Sequence, residues 1–145
     1  MDESWEGRQP TRASAPAVSD LWTYRATVNA VHDGDTLEVN VDLGFDVHEV
    51  VSVRLLGCNA RELRDLGGVE ARDNLRALLP PGAGALLRTV KPDKFGGRYD
   101  AAVEFINASG QVVDLVAYLI EEQWVAPWNG RGEKPVPPWP RTVTS

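Results

Sequence analysis

Residues 21–56, which read LWTYRATVNAVHDGDTLEVNVDLGFDVHEVVSVRLL, contain three candidate strands separated by two turn signals. Apolar and polar residues alternate over 22–30 and again over 37–43, which is the period of a half-buried strand. The third stretch is rich in β-branched residues, and turns are indicated by the Asp-Gly pair at 33–34 and by a later glycine. Three strands this close in sequence predict an antiparallel meander.

The period changes in the second half of the chain. Residues 67–80, GGVEARDNLRALLP, place Val69, Leu75, Leu78 and Leu79 on one helical face, which the following prolines end. Two further strands, GALLRTVK and YDAAVEFIN, precede a second amphipathic helix, VVDLVAYLIEEQ. The order β-β-β-α-β-β-α predicts a mainly β, α+β fold. Its five short strands suit a small closed barrel of the oligonucleotide/oligosaccharide-binding (OB) type.

The two ends of the chain differ in composition from its centre. Residues 1–20 are polar and rich in Ser, Pro and Ala, and we interpret them as an N-terminal arm preceding a barrel domain at 21–126. The C-terminal tail, 127–145, belongs to a region rich in proline and tryptophan. It is either a polyproline II ligand or a segment whose tryptophans fold back on the barrel. The arm or the tail could bind a partner protein.

The composition is that of one ordinary globular domain, with 145 residues, 43% hydrophobic and 25% charged. The single cysteine excludes an internal disulfide. The N-terminus lacks the apolar core of a signal peptide, and no stretch reaches the ~18 apolar residues of a membrane helix. We therefore expect no membrane partner, and a location in the cytoplasm or, for a chain of phage origin, in the virion.

Charge is distributed unevenly along the chain, whose net charge is −6. Residues 54–98 carry nine basic and five acidic residues, a net charge of +4, whereas the segments before and after them are acidic. This island is either ordinary surface variation or a local face for binding anions.

Charged residues recur at predicted turns and strand ends, in DGDT, RLLGCNARE and DKFGGR. Asp35 and Asn59 offer oxygen ligands of the kind that calcium prefers, and Glu62 offers a carboxylate that could activate a water. Arg54 and Arg98 offer guanidinium groups that match phosphate oxygens. Each feature alone has an ordinary explanation as a hairpin turn, a solvated arginine or a loop. Together they are the groups that attack of water on a phosphodiester needs.

These segments, extended to DGDTLEV, RLLGCNARE and DKFGGRYDAAV, resemble the three signature segments of the staphylococcal (thermonuclease-like) nuclease family, in the same order. The resemblance covers residues 24–123. It implies an OB-fold and a calcium-dependent enzyme that hydrolyses phosphodiester bonds of DNA and/or RNA.

The resemblance also implies a role for each site residue. Three residues supply oxygens to Ca²⁺: Asp35 and Asn59 through their side chains, and Ala60 through its backbone carbonyl. Three act in catalysis: Glu62 as the general base, and Arg54 and Arg98 as the phosphate-binding pair. Three lie near the substrate: Lys94, Phe95 and Arg61.

The chain departs from the family pattern at four points. Asn59 stands where Asp is usual, which removes one charge and predicts weaker calcium binding. Arg61 stands where Pro is usual, and one additional glycine precedes Arg98, so its loop must bulge by one residue. The stretch before Arg54 is longer than usual, which predicts an extended second hairpin.

A non-catalytic OB-fold module for binding or assembly, such as a phage structural component, is the alternative. Asn59, the acidic balance, the arm and the tail favour it. Convergence of Glu62, Arg54 and Arg98 beside Asp35 would favour the nuclease.

Overall fold

The computed structural model describes residues 23–92 and 97–143. Within these residues, the strands and helices are, in chain order, β1 (Thr23–Asp33), β2 (Thr36–Asp42), β3 (His48–Leu55), β4 (Cys58–Ala60), α1 (Gly68–Leu78), β5 (Gly84–Pro92), β6 (Arg98–Ile106), β7 (Val112–Asp114), α2 (Leu115–Glu121) and β8 (Val125–Pro127). Neither of these helices has the length and apolar character that crossing a membrane requires.

Five strands close a barrel in the spatial order β3-β2-β1-β5-β6, and β3 returns to pair with β6. Neighbouring strands are antiparallel, except that the closing β3–β6 pair is parallel. The predicted α+β class with a closed, OB-like five-stranded barrel is therefore confirmed. Three shorter strands were not predicted: β7 extends the sheet beside β6, and β4 pairs with β8 in a separate two-stranded sheet.

The alternation in β1 ends earlier than the sequence indicates. Ala26 and Val28 are buried, but Ala30 is exposed and Val31 takes the next inward position. The cause is a register shift against β2 between Val28 and Ala30, because one additional residue reverses the inward and outward positions.

The two helices cover the barrel with parts of their predicted faces. In α1, which packs against β1, Leu75 is fully buried, but Val69 in the first turn is 41% exposed and lies outside the core. The helix predicted over 112–123 begins at Leu115, because the Asp114 side chain accepts a hydrogen bond from the Ala117 amide (3.0 Å) and caps it. The three residues before Leu115 pair with β6 instead.

Candidate functional site

The turn between β1 and β2 carries Asp35 into a buried position. A Cβ atom on Gly34 would lie 2.8 Å from the Ala60 Cβ, so the glycine allows this turn to approach β4 closely. Asp33 Oδ1 accepts a hydrogen bond from the Asp35 amide (3.0 Å). Burial, together with the neighbouring carboxylate of Asp35, raises the pKa of Asp33 to about 6.

Hydrogen bonds and one ion pair link four residues of the predicted site: Asp35, Arg54, Asn59 and Ala60. Asp35 Oδ2 accepts from the Ala60 amide (2.9 Å) and lies 2.8 Å from Arg54 Nη1, an ion pair without the angle of a hydrogen bond. Arg54 Nη2 donates to Asn59 Oδ1 (3.4 Å) and to the Cys58 carbonyl (3.3 Å). The structure thus brings together the three residues that the resemblance assigns to calcium, with Arg54 among them.

The donors at this point fit calcium in kind, because Asp35 and Asn59 supply hard oxygens and Ala60 can add a carbonyl. Calcium takes six to eight oxygens, so water and a substrate phosphate would have to supply the others. Among the described residues no cluster of three or more His, Cys, Asp or Glu lies at metal-binding distance. Asp35 is the one carboxylate in the predicted ligand set, so calcium stays a prediction.

Arg54 and Arg98 line the same cleft. In the parallel pairing of β3 with β6, Arg54 is opposite Asp100 and Ser52 is opposite Arg98, so the two arginines point outward from neighbouring strands. The cleft holds about 470 Å³. We call it the basic cleft, and it is lined by Arg54, Leu55, Leu56, Gly57, Cys58, Lys91, Pro92, Arg98, Asp100, Trp128, Asn129, Gly130, Arg131 and Lys134.

The charge of the basic cleft is opposite to that of the whole chain. Its described lining contains five cationic side chains and one carboxylate, whereas the chain carries a net charge of −6. Trp128 links two of the cations, since its ring centroid lies 5.9 Å from Arg54 Cζ and 5.8 Å from Lys134 Nζ. This local positive charge favours a polyanion such as the phosphate backbone of a nucleic acid.

Glu62 does not line the basic cleft. Its carboxylate forms an ion pair with Arg64 Nη2 at 2.7 Å, and the Arg64 side chain is 81% exposed and that of Glu62 52% exposed. The backbone of Glu62 is fixed more firmly than its side chain: its carbonyl accepts from the Asp65 amide (2.9 Å), and Gly68 packs directly against it. The structure therefore brings Arg54 and Arg98 together but leaves the predicted base outside their cleft.

The other predicted substrate residues lie elsewhere. Arg61 faces the tail: Nη2 donates to the Pro137 carbonyl at 2.6 Å and Nη1 to the Leu66 carbonyl at 3.4 Å. Lys94 and Phe95 lie outside the described residues. The sequence reasoning did not include Lys91, Trp128, Arg131 and Lys134 in the site. The tail gave no periodic pattern that could have shown which of its residues face the barrel.

Comparison of the sequence with protein-family models found no match, and none of the curated proteins is significantly similar to it. The fold and the cleft define a small α+β barrel protein with a cationic, tryptophan-containing groove. The nuclease resemblance remains a prediction.

Proposed function

We propose that this chain is a phosphodiesterase of the thermonuclease type, which binds DNA or RNA in the basic cleft and hydrolyses it with calcium. The observation that carries the proposal is the shared cleft of Arg54 and Arg98 on paired strands, in an otherwise acidic chain. Two guanidinium groups on neighbouring strands suit the non-bridging oxygens of a phosphodiester.

Each site residue has a defined task in this proposal. Asp35, Asn59 and the Ala60 carbonyl would hold the calcium ion, which when bound supplies positive charge beside the phosphate. Arg54 and Arg98 bind the phosphate oxygens and stabilise the charge that develops on them.

Glu62 takes the proton of the attacking water after its side chain leaves Arg64. The water oxygen bonds to phosphorus while the bond from phosphorus to the 5′ oxygen breaks, and the leaving 5′ oxygen takes up a proton from solvent. Breaking the ion pair with Arg64 costs little, because both side chains are more than half exposed and such pairs contribute at most ~1 kcal/mol.

A non-catalytic module that binds nucleic acid is the second candidate, and two contacts favour it. Arg54 already neutralises Asp35, and Glu62 is engaged by Arg64 rather than directed into the basic cleft. A protein with these contacts locked would retain affinity for phosphate but would lack a base.

One experiment separates the two functions. A labelled single-stranded oligonucleotide is incubated with the protein in calcium or in chelator; anisotropy reports binding and a denaturing gel reports cleavage. The nuclease cleaves in calcium, and binds without cleaving in chelator. Binding without cleavage in both buffers indicates the binding module, and absence of binding overturns both functions.

A further inference from the structure

Two side chains of the RLLGCNARE segment fasten the tail to the barrel. Asn59 Nδ2 donates to the Pro135 carbonyl (2.9 Å), and Arg61 Nη2 donates to the Pro137 carbonyl (2.6 Å). Both bonds join residues that are 76 positions apart. The two donors are two residues apart, in β4 and at the residue after it, and the two proline carbonyls are also two residues apart. Pro137 is itself buried. These are also two of the positions at which the chain departs from the nuclease pattern.

The side chains at 59 and 61 are hydrogen-bond donors, which is what a proline-rich tail requires of its partners. Proline has no backbone N–H, so a proline can be held through its backbone only by donors that reach its carbonyl. The side chains of Asn59 and Arg61 supply such donors. An ionised Asp at 59 or a Pro at 61 would supply none.

Docking of the prolines fixes the loop that precedes them. At its start, the Trp128 amide donates to the Gly57 carbonyl (2.9 Å), and at its end Pro135 is bound by Asn59. Inside the loop, Trp128 Nε1 donates to the Arg131 carbonyl (2.9 Å). Arg131 and Lys134 are exposed and line the basic cleft together with Arg54 and Arg98 of the barrel.

We propose that residues 128–137 form the second wall of a phosphate-binding cleft for single-stranded nucleic acid. In this wall Arg131 and Lys134 contact substrate phosphates, and Asn59 and Arg61 are positioning residues that dock it. A cleft of about 470 Å³ has the size of a small-ligand pocket, which suits unpaired nucleotides rather than a duplex. The inference rests on the binding part of the proposed function and is independent of hydrolysis.

The contacts with phosphate are tested by the salt dependence of binding in chelator. For a single strand, each phosphate contact contributes about 0.7 to the slope of log K against log salt. Arg131→Ala and Lys134→Ala should each lower the slope by about that amount. Arg72→Ala removes an arginine of α1 that does not line the cleft, and it should leave the slope unchanged.

Docking is tested without nucleic acid, by the rate at which trypsin cleaves the folded chain after Arg131, followed by mass spectrometry. Arg61→Met should raise this rate about tenfold, the factor expected for loss of one charge-assisted hydrogen bond. Arg64→Met removes the same charge three residues away and should not, because the one polar contact described for that arginine is its ion pair with Glu62. Asn59→Asp should act like Arg61→Met, whereas Asn29→Asp, on an exposed position of β1, should not.

The two docking variants should also lower the binding slope, by at most about 1.4, which is the combined contribution of Arg131 and Lys134. Unchanged slopes in Arg131→Ala and Lys134→Ala would remove the wall from the binding site. Unchanged tryptic rates in Arg61→Met and Asn59→Asp would overturn docking. If the wild type binds no oligonucleotide, the phosphate-binding wall fails together with the proposed function, while the tryptic rates still decide docking.

Discussion

Arg54 and Asp35 form an ion pair of 2.8 Å between β3 and the β1–β2 turn, with side chains only 13% and 10% exposed. The pair gives Arg54 a structural role in addition to its proposed contact with phosphate. Loss of one partner leaves the other charge largely buried and uncompensated, whereas loss of both leaves no charge to compensate.

Arg54→Met should therefore lower both stability and activity. We expect a loss of about 3 kcal/mol in the free energy of unfolding, measured by urea denaturation, because the Asp35 carboxylate remains buried. Cleavage should fall by at least ~10²-fold, because a phosphate ligand is lost. The double variant Arg54→Met/Asp35→Asn should regain stability but not activity.

The control is Arg72→Met, which breaks a more exposed pair with Asp73 and should lower the free energy of unfolding by less than ~1 kcal/mol. An equally large stability loss there would contradict the argument from burial.

Glu62→Gln should lower activity while leaving stability almost unchanged. The only side-chain contact described for Glu62 is its exposed pair with Arg64, so the free energy of unfolding should change by less than ~1 kcal/mol. Cleavage in calcium should fall ~10²-fold or more, since the amide cannot accept the proton of water. Glu70→Gln, an exposed change in the first turn of α1, is the matched control. Full activity in Glu62→Gln would exclude this residue as the base, and lower activity in Arg64→Met would show that the ion pair assists catalysis.

The barrel and part of the site were predictable from the sequence because their signals are local. Alternation and Asp-Gly turn chemistry indicated the strands, and short segments carried Asp35, Arg54 and Asn59 to their ends. The closing β3–β6 pair then brings Arg54 and Arg98 together.

The specific contacts of the tail were not predictable, because they depend on partners distant in sequence. Asn59 is bonded to a carbonyl 76 residues away, and β4 and β8 have three residues each, too few to show a period. Glu62 shows a second limit: its place in the motif suggested a base beside the arginines, but its side chain lies outside the basic cleft and is paired with Arg64.

Gly34→Ala should disturb the site through packing. The new Cβ would meet the Ala60 Cβ at 2.8 Å and the Ala71 Cβ at 3.1 Å, which requires the β1–β2 turn to move away from β4 and α1. We expect a cost of roughly 1–3 kcal/mol in thermal or urea unfolding, together with loss of activity as Asp35 moves away from the Ala60 amide. Gly84→Ala is the matched control, because a Cβ atom there meets no atom within 4 Å. A stable and fully active Gly34→Ala variant would show that the turn can shift without affecting the site.

The thiol of Cys58 should report on the opening of the β4–β8 sheet beside the site. It is 1% exposed, and burial, followed by the charge of Asp35, raises its pKa to about 12 from an ordinary value of 9.0. At pH 8 the folded protein should react with a thiol reagent at least ~10³-fold more slowly than the urea-unfolded chain, because the thiolate is both rare and covered.

The unfolded chain releases the Cys58 thiol proton near pH 9.0 and the folded chain near 12, so the free energy of unfolding should fall as pH rises above 9. Cys58→Ala should remove that part of the pH dependence. Rapid labelling of the folded protein at pH 8, with unfolding still cooperative, would show that β4 separates from β8 without global unfolding.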